Sequence, residues 1–86
     1  MPKIKKAVLI NNKQGLHARP AAMFVQLANK FEAEITIKKD DLEVNGKSIM
    51  GILTLAAEKG SKILIIAKGI DAQQAVTELE ELLSKE

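Results

Sequence analysis

The sequence predicts an α+β fold: an open-faced β-sandwich of order βαββαβα, with a four-stranded antiparallel sheet and three helices on one face. Two observations carry this expectation. The β-type segments alternate apolar and polar residues, as in Ala33-Glu34-Ile35-Thr36-Ile37-Lys38, so one sheet face is buried and the other wet. Segments of helical period are interleaved with them, with no linker or low-complexity tract to divide the chain. A ferredoxin-like arrangement shares part of the order and is the alternative. The 86 residues are expected to form one domain over 1–86. A domain this small buries only about 60% of its unfolded surface, so its core must be efficient.

Ile4 to Ile10 reads as the first strand, although Lys6 interrupts strict alternation. Asn11-Asn12-Lys13-Gln14-Gly15 is a polar loop closed by glycine. From Ala18 the spacing turns helical: Ala21, Ala22, Phe24, Val25, Leu27, Ala28 and Phe31 cover one broad face. The next strand places Ala33, Ile35 and Ile37 on the core side. Asp40-Asp41 turns the chain, and a shorter strand follows with Leu42 and Val44 alternating against Glu43 and Asn45. Asn45-Gly46 ends it.

Ser48 then fits the N-cap of a short helix beginning at Ile49. Gly51 inside that helix costs about 1 kcal/mol against alanine, so the segment is locally weak. After Gly60-Ser61, the run Ile63-Leu64-Ile65-Ile66 reads as a central strand. Gly69-Ile70-Asp71 leads into the last helix, where Asp71 and Gln74 have the spacing of a capping box. Ala72, Ala75, Val76, Leu79, Leu82 and Leu83 form its apolar stripe, with Glu78, Glu81 and Lys85 opposite.

Composition excludes several function classes. There is no cysteine, hence no disulfide framework or thiolate metal site, and a single histidine cannot build a multi-histidine zinc site. No cofactor or metal is called for. The absence of disulfides in so small a domain favours the reducing cytoplasm. The apolar run Ala7 to Ile10 is too short for a signal-peptide core or a membrane span, so no membrane insertion is expected. Thirteen basic and eleven acidic residues leave a formal charge of +2, and the chain has two phenylalanines but no Trp or Tyr. That supplies neither the field nor the stacking surface for nucleic acid.

The chemistry concentrates in Gly15-Leu16-His17-Ala18-Arg19-Pro20-Ala21-Ala22, which holds the one histidine where a helix should begin. With His17 at the N-cap, Ala18, Arg19 and Pro20 fill the first turn. Proline is tolerated there because first-turn N–H groups have no acceptor within the helix. The free N–H groups of Ala18 and Arg19 and the positive end of the helix dipole can receive phosphate oxygens. Arg19 can clamp them with paired N–H donors. A phosphoimidazole has a labile P–N bond, so such a ring stores a phosphoryl group and passes it on. The competing structural reading is a His17 that merely caps and an Arg19 that is a solvated charge. Histidine is a poor cap beside Asn, Asp, Ser or Thr. The chain shows no nucleotide fold and no separate catalytic base, which points to a carrier served by partner enzymes rather than an autonomous enzyme.

Gly15-Leu16-His17-Ala18-Arg19-Pro20-Ala21 resembles the active-site signature of the HPr family, the histidine-containing phosphocarriers of the bacterial phosphoenolpyruvate-dependent phosphotransferase system. Asn45-Gly46-Lys47-Ser48-Ile49-Met50-Gly51-Ile52 resembles that family's regulatory serine segment, in the right order and separation. The resemblance covers essentially the whole chain. It implies that His17 is phosphorylated on Nδ1 by phosphorylated enzyme I and donates to enzyme IIA domains for sugar uptake, with Arg19 assisting. It implies Ser48 as the target of HPr kinase/phosphorylase, with a catabolite-control transcription regulator as a further partner.

Leu16, Ala18, Ala22, Ile49, Met50, Ile52 and Leu53 would then include much of the apolar docking patch; core packing is the alternative for each. Helical period cannot bury all of Ile49, Met50, Ile52 and Leu53. The protein would act as a monomer. Two departures stand out. The family often has glycine where Ala56 stands, and Leu55-Ala56-Ala57 is similar to relatives serving the nitrogen-related branch. A regulatory binding module controlled through Ser48 is the alternative class; relatives of that kind that lack the histidine are disfavoured by His17.

Two further patterns carry no function. Gly46-Lys47-Ser48 imitates the end of a phosphate-binding P-loop, but Asp41 stands where that pattern needs glycine. Glu32 with Glu34, and Asp40 with Asp41, read as solvated charges on a strand and a turn.

Overall fold

The computed structural model describes residues 1–85. Its elements are β1 (Lys3–Leu9), α1 (Ala18–Ala28), β2 (Glu34–Lys39), β3 (Leu42–Asn45), α2 (Ile49–Leu55), β4 (Lys62–Lys68) and α3 (Ala72–Ser84). The four strands form one sheet in the order β1-β4-β2-β3, and every neighbouring pair is antiparallel. This is the expected open-faced sandwich. In the ferredoxin-like alternative the first strand is interior; here β1 is an edge strand.

The register aligns the inward residues. Val8 faces Ile63, while Ile37 lies opposite both Ile65 and Val44. The helices close over this face with Ala21, Phe24 and Ala28 of α1, Ile52 and Leu55 of α2, and Ala75, Val76, Leu79 and Leu83 of α3, all buried. Period-two burial in the strands and helical burial above them therefore meet in one core.

Several local expectations are refined. β1 stops at Leu9, but Ile10 remains fully buried and donates its N–H to the Ser61 carbonyl at 2.8 Å. Lys6 breaks the alternation because it stands on the helix side of this edge strand, where its ammonium reaches the Glu80 carboxylate of α3 at 3.8 Å. β4 is central, as its apolar run suggests, yet only Ile63, Ile65 and Ala67 are buried; Leu64 and Ile66 point to the open face and are half-buried.

The capping box at Asp71 does not form. Asp71 occupies the N-cap of α3 without a side-chain cap bond, and Gln74 donates instead to Glu78 Oε2 at 2.9 Å. The Asp71 carboxylate accepts from the backbone N–H groups of Glu32 (2.8 Å) and Ala33 (2.9 Å), clamping the turn before β2 to the start of α3. A charged acceptor gains more from two amide donors than from one cap bond. Those bonds, the Glu32 amide foremost, hold the carboxyl below its ordinary range.

Candidate functional site

The site is assembled from two loops and two helix starts. Residues 11–17 run from β1 to α1, and residues 56–58 leave α2. They are stitched together: the Leu16 N–H donates to the Ala57 carbonyl at 2.7 Å, and the Gly15 N–H to the Asn12 carbonyl at 3.2 Å. Gly15 has φ +64°, and a β-carbon on it would lie 2.6 Å from the Ala57 carbonyl oxygen and 2.8 Å from Glu58 Cα. Only glycine meets both the left-handed backbone and the close approach. Leu16 inserts into the core at 1% exposure. The segment is therefore fixed on both sides of the residue that follows.

That residue, His17, is exposed and occupies the N-cap of α1 with extended backbone (φ −83°, ψ −168°) and no side-chain cap bond. Its carbonyl accepts from the Ala21 N–H at 2.8 Å, starting the helix, while the imidazole remains uncommitted. The N–H groups of Ala18 and Arg19 find no acceptor among the described residues. Pro20 has no N–H to leave unpaired. Arg19 is exposed and forms no ion pair among the described residues. An exposed imidazole, two free backbone donors and an unpaired guanidinium thus share one helix end, an arrangement suited to binding phosphoryl oxygens.

Beside Arg19 lies an open groove of about 440 Å³, bounded by Asn12, Lys13 and Pro20 and by Met23, Leu82 and Lys85 across from them. His17 is not part of its wall. Asn12 Oδ1 is buried there without a hydrogen-bond partner among the described residues.

Ser48 caps α2 as expected, its hydroxyl oxygen accepting from the Gly51 N–H at 3.1 Å. The segment before it is braced: Asn29 at the end of α1 donates to the Lys47 carbonyl at 3.2 Å, and Lys47 Nζ donates to the Phe31 carbonyl at 2.6 Å. Lys47 is thereby committed to the fold, in keeping with the rejection of a P-loop. Gly51 also has a reason: a β-carbon there would sit 3.1 Å from the Asn45 carbonyl oxygen and 3.3 Å from Val44 Cβ, so glycine lets α2 lie close on β3.

The docking set separates into two groups. Met50 is 68% exposed, and Ile49 and Leu53 are exposed beside it; Ala18 is exposed and Ala22 half-buried. Leu16 and Ile52 are corrections. Both are core residues, with Ile52 completely buried, so neither can touch a partner. Their positions on the inward side of the loop and of α2 decide this. Met23 of α1, overlooked in the sequence because the α1 apolar face is broad, is exposed and lines the groove beside Arg19 with Leu82 of α3. Sequence reasoning also missed Ala57 and the Asn29 and Lys47 braces. Their contribution is made by backbone carbonyls and long-range side-chain bonds, which leave no local pattern.

The family model described as the PTS HPr component phosphorylation site matches residues 4–85. The chain belongs to the HPr family. It is 49% identical over 83 residues to the HPr-like protein Crh of Halalkalibacterium halodurans, covering 96% of this chain and 99% of that protein. The crystal structure of phosphocarrier protein HPr from Bacillus anthracis superposes with a TM-score of 0.92 at 49% identity, covering 94% of this chain and 96% of that one. The HPr dimer of Thermoanaerobacter tengcongensis aligns with a TM-score of 0.73 at 48% identity, covering 87% and 86%. Among the described residues, no helix is long and apolar enough to cross a membrane.

Proposed function

We propose that this chain, a single HPr-like domain over 1–86, is a cytoplasmic phosphocarrier that holds its phosphoryl group on His17. Phosphorylated enzyme I, charged by phosphoenolpyruvate, is the donor, and enzyme IIA domains of sugar uptake are the acceptors. The observation that carries the reading is the uncommitted imidazole at the α1 N-cap, next to the free N–H groups of Ala18 and Arg19.

In loading, the His17 Nδ1 lone pair attacks phosphorus, a new N–P bond forms, and the bond to the donor breaks with its electron pair returning to the donor. The backbone donors and Arg19 stabilise the equatorial oxygens during this in-line transfer. Unloading is the same step toward the acceptor. The chain supplies a nucleophile and an anion cradle, and the partners complete the transfer. Ile49, Met50 and Leu53, with Ala22, form the surface on which partners dock, since an exposed apolar patch of this kind usually marks a contact site. The carrier acts as a monomer, which leaves this surface open to successive partners.

Ser48 is the second, regulatory site, a target for HPr kinase/phosphorylase and for reading by a catabolite-control transcription regulator. The family resemblance of residues 45–52 supports this, and so does the position of the hydroxyl beside the docking patch. A phosphate there adds roughly −1.5 to −2 charge next to Ile49 and Met50. The nitrogen-related branch is the alternative for the acceptor, supported by the likeness of Leu55-Ala56-Ala57 to relatives of that branch. A module working through Ser48 alone is the alternative class.

Labelled phosphoenolpyruvate and enzyme I, applied to wild type and His17→Ala, test the primary reading. Acid-labile label is expected on wild type alone. An active enzyme I that leaves the wild type unlabelled would overturn it, and partner binding that survives His17→Ala but follows Ser48 phosphorylation would favour the regulatory module.

A further inference from the structure

The sheet face opposite the helices has a composition that packing does not explain. In the β1–β4 ribbon its outward residues form four cross-strand pairs: Lys3 with Lys68, Lys5 with Ile66, Ala7 with Leu64, and Leu9 with Lys62. Four are lysines, four are apolar, and none is acidic. Lys38 of β2 stands beside Leu64. Among the described residues the outward carboxylates of the sheet are Glu34, directly opposite Lys68 of β4, and Glu43, directly opposite Lys38, so the uncompensated lysines are Lys3, Lys5 and Lys62. Five lysines against two glutamates leave this face with an excess of three positive charges, more than the formal +2 of the whole chain. The remainder of the molecule is close to neutral.

Protection of a sheet edge accounts for lysines on β1. It does not account for Lys62 and Lys68, which lie on the central strand, nor for Leu64 and Ile66 beside them on the open face. Leu9 adds a third large apolar residue, exposed at the rim.

We propose that this face adsorbs to an anionic lipid surface. The charge pattern fixes the sign of the occupant and disfavours a second copy of the same face. The face has no Trp, Tyr or Arg, the residues that anchor tight protein interfaces, and no aromatic ring on which a base could stack. A flat field of lysines is matched instead by a diffuse negative surface, with the lysine stems and Leu9, Leu64 and Ile66 resting at the headgroup level. This is adsorption, not insertion. His17 and Ser48 begin helices of the opposite layer, so both remain free while the sheet is occupied. The inference does not depend on the carrier function.

Sedimentation with vesicles tests it, using phosphatidylcholine alone and an equal mixture of phosphatidylcholine and phosphatidylglycerol. Each uncompensated lysine near an anionic surface strengthens partitioning about fivefold. At low salt the full chain should therefore prefer the mixed vesicles by about 100-fold, and the preference should vanish toward 1 M salt, where the screening length falls to about 3 Å. The triple variant Lys3→Gln, Lys5→Gln, Lys62→Gln, which removes the three uncompensated lysines, should lose about 100-fold. A variant of the same net charge, Lys30→Gln, Lys39→Gln, Lys59→Gln, should lose far less. Circular dichroism confirms that both are folded. Equal loss in the two variants, no preference for the anionic vesicles, or capture by polyglutamate or RNA without vesicle binding would each overturn the proposal.

Discussion

Ala56 should be improved by replacement with glycine, despite the general cost of glycine. It is the C-cap of α2 and holds φ 52°, ψ 39°, the left-handed region, with its N–H donating to the Leu53 carbonyl at 3.1 Å. That conformation costs an L-residue with a β-carbon about 1–2 kcal/mol. Against this, glycine loosens the unfolded chain by about 0.4–1 kcal/mol. Ala56 is exposed, so removing its methyl group forfeits little buried surface. The balance is a gain of about 0.5–1 kcal/mol. In a domain of this size that raises Tm by about 2–8 °C. Urea and thermal unfolding of wild type and Ala56→Gly measure it directly. Ala57→Gly is the internal control: Ala57 is buried and its φ is negative, so the same chemical change one residue later should destabilise. A neutral or destabilising Ala56→Gly would refute the reasoning, because it would mean the left-handed cap is not the dominant cost at that position.

Gly15→Ala should be severe, losing more than about 2 kcal/mol through left-handed strain and overpacking, since the new methyl lies 2.6 Å from the Ala57 carbonyl oxygen; a change within 0.5 kcal/mol in urea unfolding would contradict the stitched-loop account. Ile52→Ala should cost about 2–5 kcal/mol of stability, whereas Met50→Ala should leave stability within about 0.5 kcal/mol and weaken binding to a docking partner, as calorimetry would show. The Asp71 carboxyl is depressed, so its clamp contributes stability above the unfolded carboxylate range, and that contribution is lost as pH falls through the lower folded-state value. Asp71→Asn should therefore flatten the acid limb of a Tm-against-pH curve relative to wild type while changing little of the slope near neutrality.

The parts of this molecule that follow period or local chemistry were legible in the sequence. Ile35 and Ile37 announced a half-wet strand, Ser48 announced a cap, and Gly15 to Pro20 announced a helix start with unpaired donors. The errors share a cause. The family resemblance puts Leu16 and Ile52 in the docking patch, but a resemblance of residues beside His17 and Ser48 does not tell which side of a loop or short helix faces the core, and both are buried. Asp71 had the spacing of a capping box, yet its carboxylate found two stronger donors 38 and 39 residues away, at Ala33 and Glu32. Ile63 to Ile66 read as a central strand, which β4 is, but the continuous apolar run does not show that only alternate residues are covered. In each case a tertiary partner outcompeted a local pattern.

The misplacement of Leu16 also explains how an exposed histidine can be well positioned. A carrier that meets successive partners needs its imidazole outside, where few contacts hold a side chain, and transfer nonetheless demands an ordered nucleophile. The structure resolves the conflict one residue away. Leu16 is sunk in the core, its N–H is fixed to Ala57, Gly15 lies against the Ala57 carbonyl and Glu58, and the His17 carbonyl is committed to Ala21. The backbone on both sides of His17 is thus determined while its ring remains free. Order at the site comes from the loop's buried side, and this is why alterations at Leu16 or Gly15 should impair transfer without touching any reacting atom.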